Sequence, residues 1–220
     1  FVIIKKFNKE FSKIKSIEFI ENILKKKLKA KFVFVSNNFR FGNKREGNVK
    51  QLIKYENKYN YKIIKPVPLL NKTKIVSSSL IRNFLQKGKL NEANKLLNRT
   101  WSIEGKVQKG KQLGKKIGFP TANIDIKDYV LACPGVYAVQ VNMINSSKII
   151  KGIANLGYRP TFNGKKILLE VHLFNFSGNL YNKELTVNFK KFIRKEKKFK
   201  NVNQLRKQIK IDLLTAKKSK

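Results

Sequence analysis

Cysteine and histidine are almost missing from this chain. A single Cys133 excludes an internal disulfide framework, and a single His172 excludes a histidine-rich metal cluster. No apolar run approaches the roughly 18 residues of a membrane span. The opening FVIIKKF is too short, and too soon broken by lysine, for a signal peptide. These absences point to a reducing, cytoplasmic setting without a membrane partner. The chain opens on Phe1 instead of Met, which raises the expectation of a fragment.

Acidic residues are also scarce, 13 against 50 Lys and Arg, for a net charge of +37. Such an excess suits the phosphates of nucleic acid, but its distribution argues otherwise. Arginine occurs only at 40, 45, 82, 99, 159, 194 and 206; the remaining charge is lysine, spread through every segment among Ile and Asn. That is a compositional bias, of the kind an AT-rich genome imposes, not a footprint. A basic nucleic-acid-binding β-barrel is the alternative reading, and no specific nucleic-acid partner is expected.

With 41% hydrophobic residues over 220 positions, the chain can bury one good core or two smaller ones. Residues 1–98 alternate strand and helix patterns. FVII, KFVFV and YKIIKPV read as strands. SIEFIENILKKKL, capped by Ser16, then VKQLIKYENKY, SSSLIRNFLQKG and NEANKLLN read as helices. This order implies a parallel sheet with crossover helices, as in nucleotide-binding α/β domains. From Trp101 the pattern changes to strand-like runs separated by Gly, Asn and Pro turns: WSIEGKVQKG, GVYAVQV, KIIKGIANLG, KILLEVHLFNF and ELTVNFKKFI. That is the signature of an antiparallel barrel or sandwich. A final helix carries Val202, Leu205, Ile209, Leu213 and Ala216 on one face. The boundary falls near 99–104.

Two stretches could carry chemistry. In GKVQKGKQLGKKIGFPTANI, glycines at 105, 110, 114 and 118 follow a strand. They let backbone N–H groups close on phosphate oxygens, with Lys111, Lys115 and Lys116 supplying charge. Pro120 stiffens the chain and presents Thr121 and Asn123 on one side of an extended segment. A hydroxyl and an amide oxygen suit Mg²⁺; a glycine-rich turn with a Thr/Asn bend is the plain alternative. In LLEVHLFNF, alternation puts Leu169, Val171 and Leu173 on one face and Glu170, His172 and Phe174 on the other. Glu170 is a candidate general base, or else a salt-bridge partner for a lysine. His172 reads as a satisfied barrel residue.

These stretches, with PGVYAV, GIANLGYRPTF, LLEVHLFNFSGNLYNKELTVNFKKFIRKEKKF and the last helix, resemble the riboflavin kinase domain of bacterial FAD synthetases from about Trp101 to Lys217. FRFGNKREGN and VSSSLIRNFLQKGKLNEANKLLNR resemble the later part of the FMN adenylyltransferase domain that precedes it in those bifunctional enzymes. The resemblance implies an α/β nucleotidyltransferase-like remnant with a Rossmann-like parallel sheet over 1–98. An antiparallel six-stranded β-barrel with a C-terminal helix follows over 101–217.

The activity implied is transfer of the γ-phosphoryl of ATP to the 5′-hydroxyl of riboflavin, giving FMN, with Mg²⁺ as cofactor. The resemblance carries Thr121 and Asn123 to the metal and nucleotide, Gly110 and Lys115 to the phosphate loop, and the base to Glu170. It carries Arg194 to a mobile loop near the flavin, where Lys195 replaces a usual proline. Ser77, Ser78, Ser79 and Arg82 would bind triphosphate for adenylyl transfer to FMN, and Asn38 and Arg40 match a loop near the flavin mononucleotide or nucleotide. The transferase's histidine-rich signature has no counterpart before His172 and is expected upstream of Phe1. A bifunctional full-length protein is therefore implied, while these residues make FMN and do not proceed to FAD.

Overall fold

The computed structural model describes residues 2–110, 112–126, 129–143, 148–161 and 164–219. The chain forms two compact units, Phe1–Ile75 and Val76–Lys220.

In the first unit, α1 (Lys9–Ser12) and α2 (Ser16–Glu18) lead into a π-helical segment, Phe19–Lys27. Strand β1 (Phe32–Phe34) runs parallel to β4 (Lys62–Ile64). Between them lie the hairpin β2 (Arg40–Phe41) with β3 (Gly47–Asn48) and the helices α3 (Val49–Lys54) and α4 (Glu56–Tyr59). A second hairpin, β5 (Leu70–Asn71) with β6 (Lys74–Ile75), closes the unit. A parallel pair joined through helices is the crossover arrangement that the strand–helix alternation predicts. Ile20, Leu24, Val35, Phe41, Val49 and Leu52 form the core with Tyr59 and Tyr61. The Tyr61 hydroxyl donates to the Leu52 carbonyl at 2.6 Å, and burial pushes its pKa up to about 12.

Two expectations for this unit need correction. The described part of the run FVII is not a strand: residues 2–7 take no regular structure, and Val2 and Ile4 are 86% and 90% exposed, while Phe1 lies outside the described residues. β-Propensity alone makes no strand without a neighbouring ladder. Ser16 is not the cap, which is Lys15. Ser16 is buried instead; its N–H donates to Glu46 Oε1 at 2.7 Å, and its hydroxyl accepts from Gln51 Nε2 at 3.0 Å. A hydroxyl held by a side chain 35 residues away is not free to cap its own helix.

The second unit opens with α5 (Ser78–Gln86) and α6 (Leu90–Leu97), joined through Gly88 at φ +71°. Six strands then close into an antiparallel barrel: β7 (Ser102–Gln108), β8 (Ala122–Asp125), β9 (Gly135–Met143), β10 (Ile149–Thr161), β11 (Gly164–Leu173) and β12 (Glu184–Lys195). Around the barrel the order is β10-β11-β8-β7-β12-β9. Five of these strands coincide with the runs picked out by alternation; the sixth, β8, is the segment Ala-Asn-Ile-Asp that follows the Pro-Thr turn. A four-residue helix, α7 (Leu113–Lys116), sits in the glycine-rich loop, and α8 (Val202–Lys217) ends the fold.

The barrel is solid. Ile103, Val107, Ile124, Val141, Leu156, Leu169, Leu185, Val187 and Phe189 are at most 2% exposed. Trp101 and Tyr137 pack against Phe189 with centroids 4.5 and 5.1 Å away. Tyr137 donates to the Cys133 carbonyl, and burial raises its pKa above the ordinary phenol value. Leu85, Leu90 and Ala93 of α5 and α6 belong to this same core. Hydrogen bonds fasten them: Cys133 N–H to the Leu85 carbonyl at 2.9 Å, Trp101 N–H to Asn94 Oδ1 at 2.7 Å, and Asn94 Nδ2 to the Phe189 carbonyl at 3.5 Å. The strand pattern therefore begins near 99–104, while the packed unit begins at Val76, because the apolar faces of the two helices are covered by the barrel.

Outside the barrel, Val136, Ala138 and Ile153 pack against Ala216 and Leu213 of α8. Val202, expected on that face, is 53% exposed at the helix start. The deeper anchor is ionic. Asp212 on α8 is 2% exposed and accepts from Arg194 Nη2 at 2.7 Å and Nε at 3.0 Å; Gln208 Nε2 adds a bond at 2.8 Å. A buried ion pair is tolerated only when its lone pairs are filled in this way. Asp212→Ala, which strands the guanidinium, is expected to lower stability by about 3–5 kcal/mol. The paired change Arg194→Met/Asp212→Leu should cost less. Urea unfolding followed by Trp101 fluorescence measures both.

Candidate active site

Register decides which side of the barrel can hold a site. Val107, Ile124, Leu169 and Leu156 are cross-strand neighbours across β7, β8, β11 and β10, and all four point into the core. Side chains alternate along each strand, so the next row, Gln108, Asn123, Glu170 and Asn155, faces outwards. Direct cross-strand neighbours lie about 5 Å apart. Glu170 is thus flanked by two amides, Asn123 on β8 and Asn155 on β10. Asn123 is 7% exposed and Glu170 half-buried.

The glycine-rich loop folds back over this row. A Cβ on Gly110 would fall 2.4 Å from Asn123 Nδ2, so the bare backbone lies directly against that amide. A Cβ on Gly114 would sit 3.3 Å from Thr121 Oγ1 and 2.4 Å from the Phe119 carbonyl. The two glycines are spaced so that each meets one of the two oxygen-bearing side chains. Lys111 lies outside the described residues.

Two cavities meet at Thr121. One, of about 240 Å³, contains Thr121, Asn123, Asn155 and Glu170 together with Glu196. The other, of about 370 Å³, is lined by Lys115 together with Phe176, Leu180 and Tyr181. Gln112 Nε2 donates to the Tyr181 hydroxyl at 3.1 Å, tying the glycine-rich loop to the loop after β11. One polar cavity with a carboxylate beside one with apolar walls and a lysine suits a pair of reactants that meet at Thr121.

The structure therefore brings together Gly110, Lys115, Thr121, Asn123 and Glu170. Arg194 is in the same outward row but two strands beyond Asn155, through Val136. Its guanidinium is engaged by Asp212 and by the Lys195 carbonyl at 2.9 Å. Ser77 caps α5, its hydroxyl accepting from Leu80 N–H at 3.2 Å, and Arg82 Nε donates to the Ser78 carbonyl at 3.2 Å. Ser77, Ser78, Ser79 and Arg82 are exposed in the second unit; Asn38 and Arg40 are exposed in the first.

Three residues escape a sequence reading. Asn155 interrupts an apolar strand as Glu170 does, and that shared signal could have found it. Glu196 shows no local signal, because it enters the cavity from a loop distant in sequence. His172, read as a barrel residue, has a definite job: its Nδ1 donates to the Pro120 carbonyl at 2.8 Å, fastening the turn before Thr121 to β11. Phe119 meets the imidazole edge-on at 6.0 Å.

Hard oxygens from Thr121 and Asn123, with no Cβ on Gly110 to intervene, fit a small divalent cation that keeps other positions for water and phosphate. Among the described residues, no group of His, Cys, Asp and Glu forms a metal cluster, and no helix is long and apolar enough to cross a membrane.

Family models for riboflavin kinase and FAD synthetase match residues 97–220 and 1–80. The chain is 44% identical to a bifunctional riboflavin kinase/FMN adenylyltransferase from Buchnera aphidicola subsp. Schizaphis graminum, over 97% of this chain and 69% of that protein. Proteins of the same description from Haemophilus influenzae and Escherichia coli K12 are 40% and 37% identical, each over 98% of this chain and over 70% and 69% of their own lengths. A solved structure described as a macrolide-efflux protein from Streptococcus pneumoniae shares the fold, with a TM-score of 0.81 and 29% identity over 97% of this chain and 68% of that one.

The His172 bond yields a test. His172→Ala frees the Pro120 carbonyl and is expected to cost about 1 kcal/mol of stability. It should impair binding at Thr121 more than binding at Glu170, whose backbone stays paired with β8 and β10. Thermal unfolding, with separate titrations of the two substrates, reads both effects.

Proposed function

The chain belongs to the family of bifunctional riboflavin kinase/FMN adenylyltransferases, enzymes of flavin cofactor biosynthesis, and from that premise we propose how its barrel performs the kinase reaction. The apolar cavity takes the adenine of ATP, with Lys115 and the glycine-rich loop on its phosphates. The polar cavity takes the ribityl chain of riboflavin, so that its 5′-hydroxyl and the γ-phosphorus meet at Thr121. Mg²⁺ held by Thr121 and Asn123 would neutralise charge on the phosphates. The observation that carries this reading is Glu170 on the outward row beside Asn123, in the cavity next to the one lined by Lys115.

In the transfer, the 5′-oxygen forms a bond to the γ-phosphorus as the bond to the β,γ-bridging oxygen breaks, yielding FMN and ADP. Glu170 accepts the hydroxyl proton. Asn123 and Asn155 fix the carboxylate between them, and Gly110 and Gly114 allow the loop to close on the reacting groups. Phosphoryl transfer needs positioning and charge neutralisation more than covalent participation. A rigid strand–turn–strand with a glycine cover supplies the first. Arg194 holds α8 and the chain after β12, on the side where the flavin would extend. The dispersed lysines serve no base-reading role on this view, and any binding of RNA is weak, sequence-blind and salt-sensitive.

Glu170→Gln keeps size and polarity but removes the base. It should lower the rate of FMN formation by about 10²- to 10⁴-fold, with the barrel intact by circular dichroism. FMN formation near the unaltered rate would remove Glu170 from this role.

We also propose that these 220 residues do not adenylylate FMN. Their one histidine is engaged with Pro120 on the barrel. Ser77, Ser78, Ser79 and Arg82 could hold a triphosphate by helix N–H groups and a cation, yet no imidazole remains to stabilise charge on the α-phosphate. Incubation with FMN and MgATP, followed by chromatography, should show no FAD; clear FAD formation would refute this.

A further inference from the structure

Glu196 follows β12 by one residue, in a segment without regular structure, and it lines the polar cavity together with Glu170, Asn123 and Asn155. Its seat there is specific. A Cβ on Gly157 would lie 1.9 Å from Glu196 Oε1 and 2.8 Å from its Cδ, so the carboxyl group occupies the space that any other residue would fill. Gly157 is two residues along β10 from Asn155, on the same outward face. The carboxyl is thereby placed one step along the strand from the row that holds Glu170. The chain leading to it is clamped, since Arg194, two residues earlier, is held by buried Asp212 and by the Lys195 carbonyl. Among the described residues the Glu196 carboxylate has no hydrogen-bond or ion-pair partner, in a chain with 50 Lys and Arg.

We infer that Glu196 discriminates between the neutral acceptor and its phosphorylated product. This rests on the riboflavin kinase reading of the cavity. Riboflavin enters uncharged, and its hydroxyls can donate to a carboxylate that lacks a partner. FMN leaves with about −1.5 to −2 charges on its phosphate at neutral pH. Glu170, having accepted the hydroxyl proton, is neutral at the moment the product forms. Glu196 is then the carboxylate in the cavity of about 240 Å³ that still repels the new phosphate, a repulsion that added salt screens. Its effect is to favour release of FMN over retention.

The test compares riboflavin and FMN affinities by quenching of flavin fluorescence, together with inhibition of riboflavin phosphorylation by FMN. Glu196→Gln is expected to tighten FMN binding, and lower its inhibition constant, by about 3- to 10-fold. The affinity for riboflavin should change less. The difference between variant and unaltered protein should shrink as salt is raised. Gly157→Ala displaces only the far end of a flexible side chain and should move FMN affinity in the same direction. Equal shifts for both flavins, a salt-independent effect, or no shift would overturn the inference. Because binding is read without turnover, a failure of Glu196 is distinguished from a failure of the kinase reading, which absence of riboflavin phosphorylation by the unaltered chain would show.

Discussion

The two-residue period of a strand in a closed, filled barrel governs most of what this protein can do. With Ile, Leu, Val and Phe occupying the interior at most 2% exposed, no ligand can enter the barrel. Chemistry is confined to the outward positions of the same strands, one residue away from the core. Thr121, Asn123, Glu170 and Asn155 are thus held by residues whose packing leaves them little freedom. A slip of one residue in the pairing of β8 with β11 would send Asn123 inwards and Ile124 into water. The apolar core is what fixes the position of the polar row.

The same period explains how much of the site could be read from the sequence. Glu170 was visible because a carboxylate breaks an apolar alternation. The glycines and Pro120 were visible because backbone that must pass close to side chains or turn sharply leaves its mark in residue type. What could not be read depends on contacts between distant segments. Nothing local reveals that Asn155 stands beside Glu170, that His172 reaches Pro120, or that Glu196 seats itself on Gly157. Ser16 looks like a cap until Glu46 and Gln51 are seen to claim it, and FVII looks like a strand until it is seen to lack a partner. β8 reads only as an extended segment after Pro120, since four residues are too few to display alternation.

Charge composition, misleading about ligands when taken as a sum, becomes informative at the level of single residues. Among 13 acidic side chains facing 50 basic ones, the default state of a carboxylate is a solvated pair with some lysine. The acids that depart from this default mark structure or chemistry. Asp212 is sunk beneath α8 with an arginine, and Glu196 sits against Gly157 in the polar cavity. Lysine abundance lowers the information carried by each lysine and raises that carried by each acid.

The attachment of α5 and α6 to the barrel bears on how such an enzyme could be divided or recombined. Leu85, Leu90 and Ala93 share one core with the barrel residues, and the bonds from Cys133 and Trp101 fasten the two helices from different strands' approaches. A gene fusion, fission or domain exchange that cut where the strand pattern begins, near residue 100, would tear open a core. A junction at Val76 would fall at the boundary between the two compact units. The two helices thus travel with the barrel as a cover on its core, although their sequence reads as the tail of the preceding domain.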